Sequence, residues 1–306
     1  MVDSPENNFS FYKAWSYSKE FLVGGLSTST ACLATNPLDV VKTRFQLQGE
    51  LQSRGAYQVK YRNILDAFLK IYRYEGVAGL QKGLTSGVAY QVFMNSARLG
   101  TYQTILNSGL TRNSDDQQVF WKLGLAGAFS GCCGAVVGNP FYLVKVQMQS
   151  AANPDIAVGY QHKHTGLARG LMNAYRSPGG LYQGVTSALA RVSVGSATQL
   201  ATFTNAKQYI SGLELIESDF GVVCLSSLVS SVAVTCTMTP FDVIATRMFN
   251  QKHGLYYSGW LDCINKIYKH EGGFAFYKGT LAHFFRIGPH TILTLIIWDR
   301  YRKWLL

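Results

Sequence analysis

Long stretches without formal charge alternate along the chain with short stretches where charged and apolar residues interleave. Residues 21–38, 123–144 and 220–241 contain no Asp, Glu, Lys or Arg. A helix crossing a bilayer needs about 20 predominantly apolar residues, so each run predicts a spanning helix. A second set of apolar segments follows Gly83, Gly184 and Gly279, each broken by one interior arginine. Between the two kinds lie stretches such as "YRNILDAFLKIYRYEG" from Tyr61. There Ile64, Leu65, Phe68 and Ile71 recur at helical spacing, which predicts a short amphipathic helix. The pattern predicts an all-α membrane protein with six spanning helices and three short surface helices on one side.

Composition narrows the reading. Charged residues make up 15% of the 306 positions, against roughly 25% in soluble domains. Mean hydropathy is only +0.05, so some helices present polar surface to something other than lipid. The net charge of +11 suits anionic lipid or an anionic solute, and the uncharged runs argue against nucleic acid. The six cysteines, including adjacent Cys132 and Cys133, have neither a disulfide nor a zinc spacing. Residues 1–14, with Asp3 and Glu6 and no apolar core, do not read as a signal or Arg-rich transit peptide.

The chain is built from repeats. "NPLDVVKTRFQLQ" from Asn36 returns as "NPFYLVKVQMQ" from Asn139 and as "TPFDVIATRMFNQ" from Thr239. Behind each comes a second element: "EGVAGLQKG" ending at Gly83, "SPGGLYQG" at Gly184 and "EGGFAFYKG" at Gly279. One membrane domain of three units, 15–110, 115–212 and 216–306, is expected. Interior prolines remove a backbone donor and kink a helix, so Pro37, Pro140 and Pro240 predict three bent helices converging at one end. Stretches rich in small residues, such as "GAFSGCCGAVVG", predict close helix packing.

Three copies of a P-x-[DE]-x-x-[KR] pattern, complete at Pro37 and partial at Pro140 and Pro240, each followed by a full or partial [DE]-G-x(4)-[aromatic]-[KR]-G, resemble the mitochondrial carrier family along nearly the whole chain. The resemblance implies a threefold pseudosymmetric six-helix barrel in the inner mitochondrial membrane. It also implies short matrix-side helices, both termini in the intermembrane space, and a monomer. A matrix gate is implied in which the acid of one odd helix meets the base of the next: Asp39 with Lys145, and Asp242 with Lys42. The third pair is absent, since Tyr142 and Ala245 occupy its positions. Gln46 and Gln149 stand at the bracing-glutamine positions, Phe249 at the third. Arg44 and Arg247 are expected to face lipid phosphate or the matrix rim. At the other end the implied cytoplasmic gate is weak: Asp299 with Arg302 keeps both charges, and Lys207 is expected opposite Gln103. Gly83, Gly184 and Gly279, helped by Gly259, are the implied cardiolipin sites, consistent with exposed amides at helix starts.

The lone arginines carry the chemistry. Arg98, Arg191 and Arg286 have no acidic partner within their own apolar spans, and such residues are costly in a membrane unless functional. Arg191 and Arg286 lie seven residues past their glycines and Arg98 fifteen past its own. Eight residues of helix rise about 12 Å, so two guanidiniums share a depth and the third lies nearer the opposite end. A guanidinium is a permanent cation whose fork matches a carboxylate, and three of them predict a solute with two negative charges. Tyr90, Gln91, Asn95 and Gln199 are read either as further solute contacts or as helix–helix hydrogen bonds. "RIGPHTIL", "SARLGTY", "ARVSVGSATQLATFTNAK", "PFDVIATR" and "HKHTGL" are similar to the oxaloacetate- and dicarboxylate-carrier branch of the family.

The expected function is therefore alternating-access transport of a dicarboxylate or keto-dicarboxylate, with no cofactor. Two other readings stand beside it: a degenerate carrier serving as membrane receptor or scaffold, and a proton-leak protein. Enzyme activity fits least, because no nucleophile motif or phosphate loop occurs. His162 and His164 lack partners at metal-ligand spacing.

Overall fold

The computed structural model describes residues 5–53, 56–113, 119–213, 218–252 and 254–305. Six long helices alternate with three short ones. The long helices are α1 (Pro5–Leu47), α3 (Leu84–Asn107), α4 (Phe120–Ser150), α6 (Val185–Gly212), α7 (Asp219–Asn250) and α9 (Thr280–Leu305). The short ones are α2 (Ile64–Leu80), α5 (Leu167–Arg176) and α8 (Trp260–Glu271). The long helices form a closed ring in the order α1, α3, α4, α6, α7, α9 and back to α1. At one end α1, α4 and α7 also touch one another directly, and the short helices pack beside that closed end. The protein is an all-α membrane protein with six transmembrane helices in a threefold pseudosymmetric barrel.

The converging helices are those with interior prolines, Pro37, Pro140 and Pro240. Proline 37 leaves the Leu33 carbonyl without its helical donor. Gln81 Nε2 donates to that carbonyl at 3.2 Å, so the turn before α3 repairs the kink in α1. The preceding asparagine ties the same turn from the other side: Asn36 donates to the Leu80 and Lys82 carbonyls. Asn139 repeats this with the Leu181 carbonyl at 2.8 Å.

Each even helix opens on a glycine in the left-handed region, with φ of 74° at Gly83, 75° at Gly184 and 77° at Gly279. Position 83 also lacks room for a side chain, since a Cβ there would lie 3.0 Å from the Lys145 carbonyl oxygen. Small residues bring α3 onto α4: a Cβ at Gly134 would meet the Met94 carbonyl at 2.8 Å, and one at Gly138 the Tyr90 ring at 2.9 Å.

The outer face of the barrel is apolar. Leu125 and Phe129 are about 60% exposed, while Ser226, Ser230, Ser231 and Thr235 are buried. This inversion of a soluble protein suits lipid. By length and composition alone, segments Trp121–Ser150, Asp219–Asn250 and Gly273–Trp304 could each cross a membrane. One expectation needs correcting. Of the four apolar positions on α2, Ile71 is buried and Ile64 half-buried, but Leu65 and Phe68 are exposed. The inward face is completed by Ala67.

Candidate functional site

The closed end is held by two layers of polar contacts. In the layer nearer the cavity, Lys145 Nζ lies 2.6 Å from Asp39 Oδ2, and Lys42 Nζ lies 2.5 Å from Asp242 Oδ2. All four side chains are buried. Asp39 and Lys42 sit three residues apart, one turn of α1, and so face α4 and α7 respectively. Gln46 Nε2 donates to Asp242 Oδ2 at 2.7 Å and accepts from Thr246, which braces the second pair. Gln149 does not brace the first pair. It accepts from Thr43 and donates to Asn36, so it ties α4 to α1 without touching either charge.

At the third interface, α4 against α7, the contact is apolar and aromatic. Tyr142 packs on Phe249 with centroids 5.1 Å apart and on Tyr90 at 4.9 Å, beside fully buried Ala245. The Arg191 guanidinium lies 4.7 Å above the Tyr142 ring. A cation over an aromatic face gains about 0.5–2 kcal/mol, so Tyr142 supplies partial negative charge where a carboxylate is missing.

The second layer corrects the reading of Arg44 and Arg247, which reach neither lipid nor rim. Both are fully buried. Arg44 forks onto Glu75 with two bonds of 2.9 Å and donates to the Gln149 carbonyl. Arg247 forks onto Glu271 and donates to the Gln46 carbonyl. Lys82 and Lys278 complete the clamps, contacting the same acids and the Ala151 and Gln48 carbonyls of the next odd-helix end. Burial pushes the Glu75 and Glu271 carboxyls up, but their arginines and lysines outweigh it and hold both below the usual range. The motif marked these acids and lysines, but their pairing with Arg44 and Arg247 was not read from sequence. The usable signal was covariation between repeats: Arg44 and Arg247 occur with Glu75 and Glu271, whereas the middle repeat has Gln147 and Arg176.

The first loop strengthens the clamp of the third repeat. Leu51 N donates to Glu271 Oε1 at 2.8 Å, and the Tyr257 hydroxyl donates to Glu50 at 3.0 Å. Burial raises the Glu50 carboxyl above its ordinary value.

Towards the other end the barrel holds a cavity of about 540 Å³. Arg98, Gln199, Arg286, His290, Ser230 and Met238 are among its walls. Arg286 and Arg191 do not stand alone, as their own spans implied. Arg286 Nε is 2.8 Å from Asp39 Oδ1, and Arg191 Nη1 is 3.8 Å from Asp242 Oδ1. Each gate acid is thus shared between a lysine of an odd helix and an arginine of an even one. The sharing is close in charge but poor in hydrogen bonding. Arg286 Nε, Arg191 Nε and Asp242 Oδ1 are buried without a hydrogen-bond partner among the described residues.

The other candidates divide. Tyr90 accepts from Arg191 Nη2 at 3.5 Å and is buried beneath the cavity. Gln199 lines the cavity. Asn95 instead donates to Gln91 one turn away at 3.5 Å and borders a separate groove at the α1–α3 seam. Among the described residues the expected cross-helix contacts are not made at the open end. Gln103 donates to Asn107 of its own helix, Lys207 is exposed, and Asp299 pairs with Lys303. Arg302 lies over the Trp298 ring at 5.0 Å. The physical reason is spacing: α3, α6 and α9 are not in extended contact here, so their polar residues find partners along their own helices.

A sixfold helical ring with a polar, arginine-lined cavity closed at one end is the architecture of a solute carrier. The chain matches the mitochondrial carrier protein family over residues 13–112, 116–213 and 217–306, and it belongs to that family. It is 44% identical over 292 residues to solute carrier family 25 member 35 of Mus musculus, covering 93% of this chain and 97% of that protein. It is 40% identical to the mitochondrial oxaloacetate transport protein of Schizosaccharomyces pombe, covering 92% and 89%. It is 41% identical to mitochondrial citrate transporter E of Aspergillus niger, covering 92% of each.

Proposed function

We propose that the protein carries a small dianion, a dicarboxylate or keto-dicarboxylate such as oxaloacetate, malonate or malate, across the inner mitochondrial membrane by alternating access. The observation that carries this is the sharing of Asp39 with Arg286, which lines the cavity, and of Asp242 with Arg191. Two solute carboxylates offer those guanidiniums the hydrogen-bond geometry that the gate acids do not. Arg98, higher in the cavity, meets the solute on entry. Once the arginines turn to the solute, each gate acid keeps only its lysine, and the closed end loosens. In this reading the closed end faces the matrix and both termini lie in the intermembrane space. Cardiolipin phosphates sit at the amides after Gly83, Gly184, Gly279 and Gly259. Names of relatives that carry oxaloacetate or citrate support an anionic solute of this class.

The test is uptake into proteoliposomes loaded with each of several dicarboxylates, sulfate, phosphate and amino acids. Arg98→Gln, Arg191→Gln and Arg286→Gln should each cut dicarboxylate uptake. Losing one charged hydrogen-bond partner costs about 2–3 kcal/mol, or roughly thirty- to a hundredfold in affinity. Undiminished uptake by all three variants rejects the site. A folded wild type that binds dicarboxylates but moves none favours a receptor or scaffold, a reading that the uncharged α4–α7 interface also supports.

A further inference from the structure

We propose that His290 is a specificity-determining residue that reads a hydroxyl group on the solute; this rests on the dianion reading above. His290 lies one turn beyond Arg286 on α9 and lines the same cavity as Arg286 and Arg98. One turn is about 5.4 Å of helix, so the imidazole lies within the span of a four-carbon solute whose carboxylate is held by Arg286.

The ring is oriented from behind. Its Nδ1 is 3.0 Å from the Thr35 hydroxyl on α1, and Thr35 donates its single proton to the Ala31 carbonyl at 2.9 Å. With that proton committed to Ala31 the hydroxyl offers Nδ1 only lone pairs, and the proposal places the ring proton on Nδ1. The same arrangement recurs seven residues earlier. Thr239 donates to the Thr235 carbonyl at 2.5 Å and lies 3.1 Å from His283 Nδ1. There the ring is fully enclosed, and Nε2 is left without a partner among the described residues. His290 instead lines the cavity, and the proposal puts its free nitrogen on that side. A neutral imidazole with a proton on one nitrogen is an acceptor at the other.

An acceptor is out of place in a cavity meant for carboxylates alone. Ionised carboxylates and 2-oxo groups are acceptors only, and the arginines already serve them. His290 Nε2 finds a partner on the solute only if the solute brings a donor, and a hydroxyl beside a carboxylate is that donor. The inferred preference is a 2-hydroxy dicarboxylate over the same chain without the hydroxyl or with a carbonyl.

The experiment compares uptake of malate, succinate and oxaloacetate by proteoliposomes holding the full chain. Wild type should favour malate over succinate in kcat/KM by about tenfold, the worth of one hydrogen bond in a wet cavity. His290→Phe should bring that ratio near one, with the larger loss falling on malate. His290→Gln, whose amide oxygen still accepts, should keep part of the preference. Thr35→Val frees the tautomer and should lower the ratio without touching succinate. The proposal falls if wild type shows no preference, if the ratio is unchanged in His290→Phe and His290→Gln, or if all three solutes decline together. If Arg286→Gln abolishes uptake while the ratio ignores His290, the dianion site stands and only the role of His290 is lost. If wild type moves no dicarboxylate, both readings fall.

Discussion

The three interfaces at the closed end occupy equivalent places, yet two are charged and one is neutral. Where α1 meets α4, and where α7 meets α1, an acid–lysine pair lies above an Arg–Glu–Lys clamp. Where α4 meets α7, Tyr142 and Ala245 replace the pair, and the clamp is rebuilt without ions. Gln147 stands in for the arginine and donates to the Phe249 carbonyl, the position that accepts from Arg44 or Arg247 in the other interfaces. His164 takes the place of Tyr61 and Tyr257 and is 2.9 Å from Gln147 Oε1. Gln183 replaces the lysine and donates to the Met248 and Gln251 carbonyls at the end of α7. Arg176, at the position of the clamp glutamate, points to solvent. Every backbone acceptor keeps its donor while the ion pairs of both layers are gone. The lesson is that the symmetry conserved among the repeats is one of hydrogen-bond positions. Charge leaves both layers together because one buried ion without its partner costs several kcal/mol.

The difference can be broken most sharply at a charged clamp. Glu271→Ala leaves Arg247 buried and unpaired and should destabilise the protein by about 3–5 kcal/mol. Removing Gln147, a neutral donor, should cost only about 1–3 kcal/mol. Thermal unfolding in detergent ranks the two, and equal losses would erase the distinction between the interfaces.

A smaller effect is expected at the gate pairs. Asp39→Lys faces Lys145 with a like charge and should slow uptake. Adding Lys145→Asp should restore much of it, with a coupling of about 0.5–3 kcal/mol. Lys42 with Asp242 should behave alike, and Tyr142→Phe should be mild because the ring stays. Double reversals no faster than single ones would mean these charges do not act as a pair during transport.

The smallest effect is a pH response at the neutral interface. His162 Nε2 lies 2.7 Å from the Asn250 carbonyl, and burial pushes its pKa down to about 4. His164 is lowered by the same cause. A depressed histidine stabilises the fold fully above its unfolded value of about 6.5. That contribution declines as pH falls towards the folded value, because the unfolded chain then binds more protons. Glu75 and Glu271, held below the carboxylate range, stay ionised over this window. Tm should therefore drop modestly between pH 7 and 5, and His162→Phe should flatten the drop. An unchanged slope in that variant would place the acid response elsewhere.

The sequence by itself determined a good deal here. The uncharged runs, the prolines spaced by one repeat, and the glycines before each even helix specify spans, kinks and helix starts, because these depend on local chemistry and on the solvent around a helix. Repetition then located Asp39, Lys42, Lys145 and Asp242, and marked Tyr142 and Ala245 as the gap. What a side chain meets across the barrel was decided only by the tertiary structure. Arg191 and Arg286 looked unpaired because their partners lie on other helices, 51 and 247 residues away in sequence. Arg44 and Arg247 looked like surface cations because their acids sit on short helices beyond a loop. The neutral clamp of Gln147, His164 and Gln183 was invisible because uncharged hydrogen bonds leave no sign pattern to match. A buried polar group must find a partner wherever it ends up, and which partner that is depends on how six helices close into a ring.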